Sequence, residues 1–419
     1  MKKARKKSAS SLLRKRLTDE INKISIFSSH EHFCSEENYL TKRLDFSALF
    51  NYIILALSGS GLGNGERGQL LSEEVSESEK WKIFKPYLSR LSNLDYFNLN
   101  EIVIRDLYGL AGLNKNTYIR IGERMRKLQV PGHYRTMMKM SGVEYALVDS
   151  LSGNSEEEFS NYDRNLFGLI YRINVEWFAR DYYLKRELYS IEKVFQYIDE
   201  FVNRLAAKGV KGIKLPLAVW QLNLNFQKWE VPEIKRSFEL LPPRIEESTR
   251  LHRPFIDAVV YRFIFQGAKH NMIIQIHAGM QSYKAGEPYL LKNLIDTFPD
   301  AAIDIFHAGY PYDGQLAVLA SMFRNVYADL CWMASVSKSL TRRILGEWLE
   351  MVPANKILAF GSDFGFIDNL FGYQQIVRQI VVEVMEEKIL AGRYDEETAL
   401  KFSQMILRAN LKNILDGNH

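Results

Sequence analysis

Eight short apolar runs, each rich in β-branched or aromatic residues, recur along this chain with long helical patterns between them. That alternation narrows the fold more than any other feature, because it is the signature of parallel βα units. The runs are Lys23–Ser28 (KISIFS), Val143–Val148 (VEYALV), Phe167–Val175 (FGLIYRINV), Val210–Leu215 (VKGIKL), Met272–Ile276 (MIIQI), Ala302–Phe306 (AIDIF), Val326–Leu330 (VYADL) and Ile357–Phe360 (ILAF). Helical stretches such as Ser190–Lys208, Pro288–Phe298, Gln315–Phe323 and Leu340–Met351 lie between them. Eight strands with intervening helices predict an α/β fold, a closed (β/α)8 barrel of the TIM type, rather than an open doubly wound sheet. No G-x-G-x-x-G follows the first run, which removes the main support for a dinucleotide-binding alternative.

One stretch breaks the rhythm. From about Glu36 to Met140 the chain carries only helical patterns and a polar, Gly-rich piece, Ser58–Gly68. That is too long for a simple βα connection, and it predicts a mostly helical insertion between strands 1 and 2, lying over the barrel mouth. Phe371–Leu415 reads as two or three closing helices. The expected organisation is a basic N-terminal segment, 1–22, followed by a barrel over 23–419 with the insertion at about 36–140.

The formal net charge of +5 is small for 419 residues, and no nucleic-acid partner is expected. Much of that charge sits between Met1 and Arg16, in Lys2, Lys3, Arg5, Lys6, Lys7, Arg14, Lys15 and Arg16. Such a run fits a mitochondrial address or a frayed basic terminus, and the frayed terminus is the expectation. No run approaches the roughly 18 apolar residues of a membrane helix. Cys34 and Cys331 make neither a disulfide framework nor a cysteine zinc site. The chain reads as a cytoplasmic protein with a small-molecule partner; homo-oligomerisation is left open.

The histidines matter by position. His30 and His32 follow strand 1 in Ser-Ser-His-Glu-His, His277 follows strand 5, His307 follows strand 6, and Asp363 follows strand 8 in Gly-Ser-Asp-Phe-Gly. In a barrel these positions lie at the C-terminal mouth, where such folds keep their active sites. Side chains alternate along an extended chain, so His30 and His32 share one side with Glu31 opposite. Two imidazoles, a third from another strand and a carboxylate suit Zn²⁺, Fe²⁺ or Mn²⁺ better than Ca²⁺ or Mg²⁺. Singly, each of these residues is more simply a hydrogen-bonded mouth residue; together they point to a metal site.

The motifs HEHF at His30–Phe33, QIHAG at Gln275–Gly279, HAGYP at His307–Pro311 and GSDFG around Asp363 resemble the amidohydrolase superfamily. The likeness is strongest to uronate isomerase-like proteins, decarboxylases and the amidohydrolase-like half of fungal FluG proteins. HAGYPYDGQLAVLASMFRNVYADL, from His307 to Leu330, looks especially FluG-like. The acidic residue that often precedes the first motif is replaced here by Ser28-Ser29.

The resemblance implies that His30, His32 and His277 bind the metal. It makes His307 a second-metal ligand or a substrate-polarising group, and Asp363 a metal contact and general base for a metal-activated water. Lys214 matches the strand 4 lysine that is carboxylated in binuclear members. Substrate binding or lining of the mouth is the simpler reading, which favours one metal, zinc first, with Mn²⁺ or Fe²⁺ as alternatives.

Arg172 offers a fork for a substrate carboxylate or a partner for a buried acid. Gln275, on the same face as His277, suits a substrate hydrogen bond, and Tyr310 and Tyr312 suit a pocket wall. His133, His252, His270 and His419 lie outside the strand ends and read as structural. The leading expectation is a hydrolase of a small polar, anionic substrate. Decarboxylation or uronate isomerisation comes second, and an inactive barrel serving as a signalling or scaffolding module third.

Overall fold

A computed structural model describes residues 2–149, 158–219, 222–242, 250–280 and 286–418. Eight parallel strands follow one another in sheet order β1 to β8. They are β1 (Ile26–Glu31), β2 (Val143–Val148), β3 (Phe167–Arg172), β4 (Gly212–Leu215), β5 (Ile273–Ile276), β6 (Ile303–Ile305), β7 (Val326–Asp329) and β8 (Ile357–Leu358). Sequential parallel strands joined through helices make a TIM-type (β/α)8 barrel. All eight lie where the apolar runs predicted them, with one instructive offset. β1 starts and ends three residues later than expected, so His30 sits within the strand and His32 just past it.

The chain divides into two compact units. The first comprises Met1–Phe167, Leu330–Glu347 and Ala359–Ala409. β1 and β2 pair in it with Ser28 opposite Ala146 and Glu31 opposite Val148. On its other side β1 meets the segment after β8: Ser29 N–H donates to Phe360 O at 2.8 Å, and Asp363 N–H donates to His30 O at 3.1 Å. Gly361 is required there, because a Cβ would lie 2.4 Å from Ser29 Oγ and 2.9 Å from Cys331 Sγ. Between β1 and β2 the chain is mostly helical, with no strand from Glu36 to Met140. The buried pair Lys80–Asp45, 2.7 Å apart, and the aromatic contacts of Phe46 with Trp81, Phe84 and Tyr118 hold this insertion together.

The N-terminus differs from the frayed segment expected of it. Lys2–Ile21 is a helix in which Leu13, Leu17 and Ile21, spaced four residues apart, are all buried. That stripe is one face of a helix, and each such side chain contributes about 1.5–3 kcal/mol on burial. Arg14 Nε donates to Glu386 at 2.7 Å, and Arg378 gives hydrogen bonds to the carbonyls of Ile21 and Ile24 at the helix end.

The second unit comprises Gly168–Asp329, Trp348–Leu358 and Asn410–His419. Its strands are short and buried on both faces, as parallel strands covered by helices must be. Register aligns Arg172 with Lys214, Lys214 with Gln275, and Gln275 with Asp304. The helix Ile191–Ala207 buries Ile191, Val194, Ile198, Val202 and Leu205 on one stripe and starts at Ser190, whose hydroxyl accepts from Lys193 N–H. Two or three closing helices were expected at the C-terminus, and the α-helices Asn369–Leu390, Glu396–Gln404 and Asn410–Leu415 lie there. His419 lies outside the described residues.

Candidate metal centre

In the first unit His30 and His32 present their rings to each other, centroids 4.8 Å apart and nearly perpendicular. His32 Nδ1 lies 2.6 Å from the Asp149 carbonyl. A carbonyl only accepts, so Nδ1 carries the proton and a neutral His32 keeps its lone pair at Nε2. That Nε2 is 3.2 Å from Asp363 Oδ1. His30 Nε2 is 3.7 Å from Asp149 Oδ2 and 3.7 Å from Asp363 Oδ1. Ligand atoms of His30, His32 and Asp149 all lie within 4.8 Å of one another, and among the described residues no other such trio occurs. Two imidazole nitrogens and carboxylate oxygens gathered this closely fit a divalent transition metal.

Local backbone accounts for the placement. Asp149 directly follows β2, with its N–H donating to Glu31 O at 2.9 Å, so its side chain leaves the sheet beside His30. Asp363 has φ 62°, a left-handed conformation that turns the chain at the end of β8. Non-glycine residues adopt it rarely and at a cost, and functional sites collect such residues. Glu31, on the opposite side of β1 from the histidines, is buried against Ser28 and Ser362. Burial above all, with the Asp363 charge adding to it, pushes its carboxyl up to about 8, against the pull of three hydrogen bonds. Glu31 therefore supports the segment before Asp363 from the side opposite the histidines.

Phe364, the residue after Asp363, belongs to an aromatic cluster with Tyr52 and Tyr96 from the insertion and Trp332 after β7. Ring centroids are 5.3 Å apart for Tyr52–Phe364, 6.0 Å for Tyr96–Trp332 and 6.4 Å for Tyr96–Phe364. Farther back, Asp368 accepts from Tyr108 at 2.6 Å and pairs with His133 at 2.6 Å, while Tyr39 stacks on the His133 ring. The insertion thereby anchors the segment that carries Asp363.

The second unit holds the other residues singled out in the sequence. His277 Nε2 meets the Met280 carbonyl at 2.5 Å, so this nitrogen donates. His307 Nε2 lies 3.1 Å from His277 Nδ1 and supplies the proton of that bond. Both ring nitrogens of His277 are thus engaged within this unit. Gly279, two residues on, has φ +70°, and a Cβ there would lie 2.2 Å from Tyr310 O. His307 and Ala308 are left-handed as well, at φ 58° and 55°, and lead into the partly exposed Tyr310.

Lys214 is buried, its Nζ 3.4 Å from the centroid of the Phe306 ring. That ring face and the nearby Asp304 both stabilise an ammonium group. Asp304 accepts from Gln275 at 3.2 Å. Burial and the charge of Asp329 raise its carboxyl well above the ordinary range, with Lys214 opposing them. Arg172, partly exposed, is the register neighbour of Lys214.

Asp149 escaped the sequence reading. Its signal was present, for VEYALVD ends in an acid just past a strand, as does the segment that carries Asp363.

A parallel barrel with imidazoles and carboxylates at its strand ends defines a class of protein, metal-site TIM barrels. The comparisons narrow it. Residues 196–389, just under half of the chain, match the amidohydrolase family model. Protein fluG of Emericella nidulans is 27% identical over 153 residues, 35% of this chain, and the match spans only 18% of that protein's length. Among solved structures, uronate isomerase from Thermotoga maritima superposes with TM-score 0.76 at 12% identity, covering 96% of this chain and 97% of its own. Glucuronate isomerase from Caulobacter crescentus gives 0.74 at 14%, covering 98% and 95%. A suspected metal-dependent hydrolase from Lactobacillus casei gives 0.69 at 16%, covering 96% and 97%. The resemblance to the amidohydrolase superfamily read in the motifs therefore stands, and the shared fold extends over nearly the whole chain. No helix among the described residues is long and apolar enough to cross a membrane.

Proposed function

We propose that this chain is a metal-dependent hydrolase acting on a small polar, anionic substrate. The grouping of His30, His32 and Asp149, with Asp363 against both rings, carries the reading. A divalent transition metal, zinc first, would supply Lewis acidity there and bring the pKa of a water toward neutrality. His30 Nε2, His32 Nε2 and Asp149 would hold it. The Asp149 carbonyl fixes the His32 tautomer in advance, so no proton must be moved before that ring can bind. Asp363, 3.2 Å from His32 Nε2, acts as the base that takes the proton from the attacking water.

Arg172 and Lys214 offer cationic groups for an anionic substrate, and Gln275 and Tyr310 offer hydrogen bonds. The family pattern would make His307 a polarising group and His277 a further ligand, a role that the engagement of both His277 ring nitrogens opposes. Cys34 and Cys331 are buried thiols, which suit a cytoplasmic setting.

Aldose–ketose isomerisation is the second reading, favoured by the chain-length likeness to uronate and glucuronate isomerases. Both reactions need the metal and the proton-carrying carboxylate, so one experiment tests what they share. Purified protein should carry about one transition metal per chain, and the His30→Ala/His32→Ala double variant should lose it. Metal-free preparations that bind neither zinc nor manganese tightly on titration would sink both readings and favour a scaffolding barrel.

A further inference from the structure

A cleft lies at the other end of the first unit's strands. Ile24 and Gly142 stand shortly before β1 and β2, whereas His32 and Asp149 follow them. Residues of the N-terminal helix, of the turn before β2 and of the helix Asn369–Leu390 line the cleft, whose volume is about 660 Å³. That is the size of a small-molecule site. Its charged lining is three cations, Arg14, Lys139 and Arg378, against one acid, Glu383.

The acid and one of the cations are already committed. Glu383 is met by Lys338 at 3.1 Å and Arg342 at 3.6 Å, neither of which lines the cleft, and Arg14 pairs with Glu386 at 2.5 Å. Lys139 is exposed, and its ammonium group has no partner among the described residues. Arg378 is buried, and no carboxylate among the described residues pairs with it. Neutral groups hold it instead: Nε donates to Gln374 at 3.0 Å, Nη1 to the Ile21 carbonyl, and Nη2 to the Ile24 carbonyl at 2.7 Å. Those bonds occupy three of the five N–H groups that a guanidinium carries. Burial pushes Arg378 down to about 10, so it keeps its charge at neutral pH. A buried cation without a counter-ion is costly, and one fixed in advance binds an anion with little further ordering.

We infer that this cleft binds a small phosphate ester, its phosphoryl group on Arg378 and Lys139 and its hydroxyl-bearing body against the amides of Asn22 and Gln375. A phosphate monoester carries nearly two negative charges at neutral pH, which matches two uncommitted cations better than a single carboxylate does. The cleft is also far larger than one phosphate ion. This goes beyond the metal-dependent reading and does not rest on it, since the metal centre lies at the opposite ends of β1 and β2.

The test is calorimetric titration of the full-length protein with glucose 6-phosphate, with glucose and inorganic phosphate as references. The same titration is run on Lys139→Glu and on His30→Ala/His32→Ala. Arg378 also ties down the end of the N-terminal helix, so the exposed Lys139 carries the test. The expected result is a Kd for glucose 6-phosphate of about 1 mM or tighter, raised about tenfold or more by Lys139→Glu and unchanged in the double histidine variant. Glucose should give no heat of binding, and inorganic phosphate should bind more weakly than the ester. No binding by the unsubstituted protein, or an equal Kd for Lys139→Glu, overturns the inference. So does binding lost with the histidines, which would put the anion at the metal centre. Glucose binding as tightly as its phosphate would deny the phosphoryl contact, and inorganic phosphate binding as tightly as the ester would leave an adventitious ion only.

Discussion

In the first unit His32 gives its Nδ1 proton to the Asp149 carbonyl and turns Nε2 toward Asp363. In the second, His277 gives its Nε2 proton to the Met280 carbonyl and receives one from His307 at Nδ1. Both histidines sit just past a parallel strand, and both motifs look alike on paper. What separates them is where the ring protons go. A metal needs a nitrogen lone pair, and the His32 arrangement leaves one among carboxylates, whereas the His277 arrangement spends it on another imidazole. Buried carboxyls divide in a related way. Glu31 is hydrogen-bonded by serines, while Asp304 answers to Asp329 and Lys214, and in each burial, ahead of any neighbouring charge, pushes the carboxyl upward.

The strongest way to break this comparison is at Asp363. Asp363→Asn keeps the size and one ligating oxygen but removes the base, so kcat on a verified substrate should fall about a hundred- to ten-thousandfold. Metal content should stay near that of the unsubstituted protein. Near-normal turnover would end the proposed mechanism even with the metal in place.

A milder pair of substitutions sharpens the contrast directly. Asp149→Asn should weaken zinc binding by at least about tenfold, read by competition with a chromophoric chelator. His277→Gln, made in the unit whose imidazole is already engaged, should leave the affinity close to its starting value. The opposite ranking would move the metal centre's essential histidine to the second unit.

The smallest effect is expected at Glu31. An amide matches a protonated carboxyl in shape and hydrogen bonding, so Glu31→Gln should shift the unfolding free energy of metal-free protein at pH 6 by less than about 1 kcal/mol. A larger loss in denaturant titration would mean that the carboxyl is ionised in the fold.

The strand succession was legible because β-branched runs such as MIIQI and AIDIF are recognisable without knowing their neighbours. β1 was misplaced by three residues, since Ser-Ser-His-Glu has little strand propensity of its own. Pairing with Ala146 and Val148 on one side and Phe360 on the other makes it extended. The N-terminal helix was hidden for a different reason: its dense positive charge outweighed the stripe of Leu13, Leu17 and Ile21.

At the site, H-x-H and the aspartate after β8 could be read from type and position alone. Asp149 could have been, by the same rule. The tautomer of His32 could not, because it depends on a carbonyl 117 residues away. The support of Glu31 by Ser362, 331 residues distant, was equally out of reach.

The left-handed turn at Asp363 also bears on how such a protein can be improved. Glycine sits in that conformation without the steric cost that a Cβ brings. A redesign guided by thermal stability alone would therefore favour replacing the aspartate, and firmer protein would be selected as the proposed base disappeared. For this fold, screens for robustness and screens for turnover pull in opposite directions at one backbone angle, and a library that varies residue 363 should be scored on both.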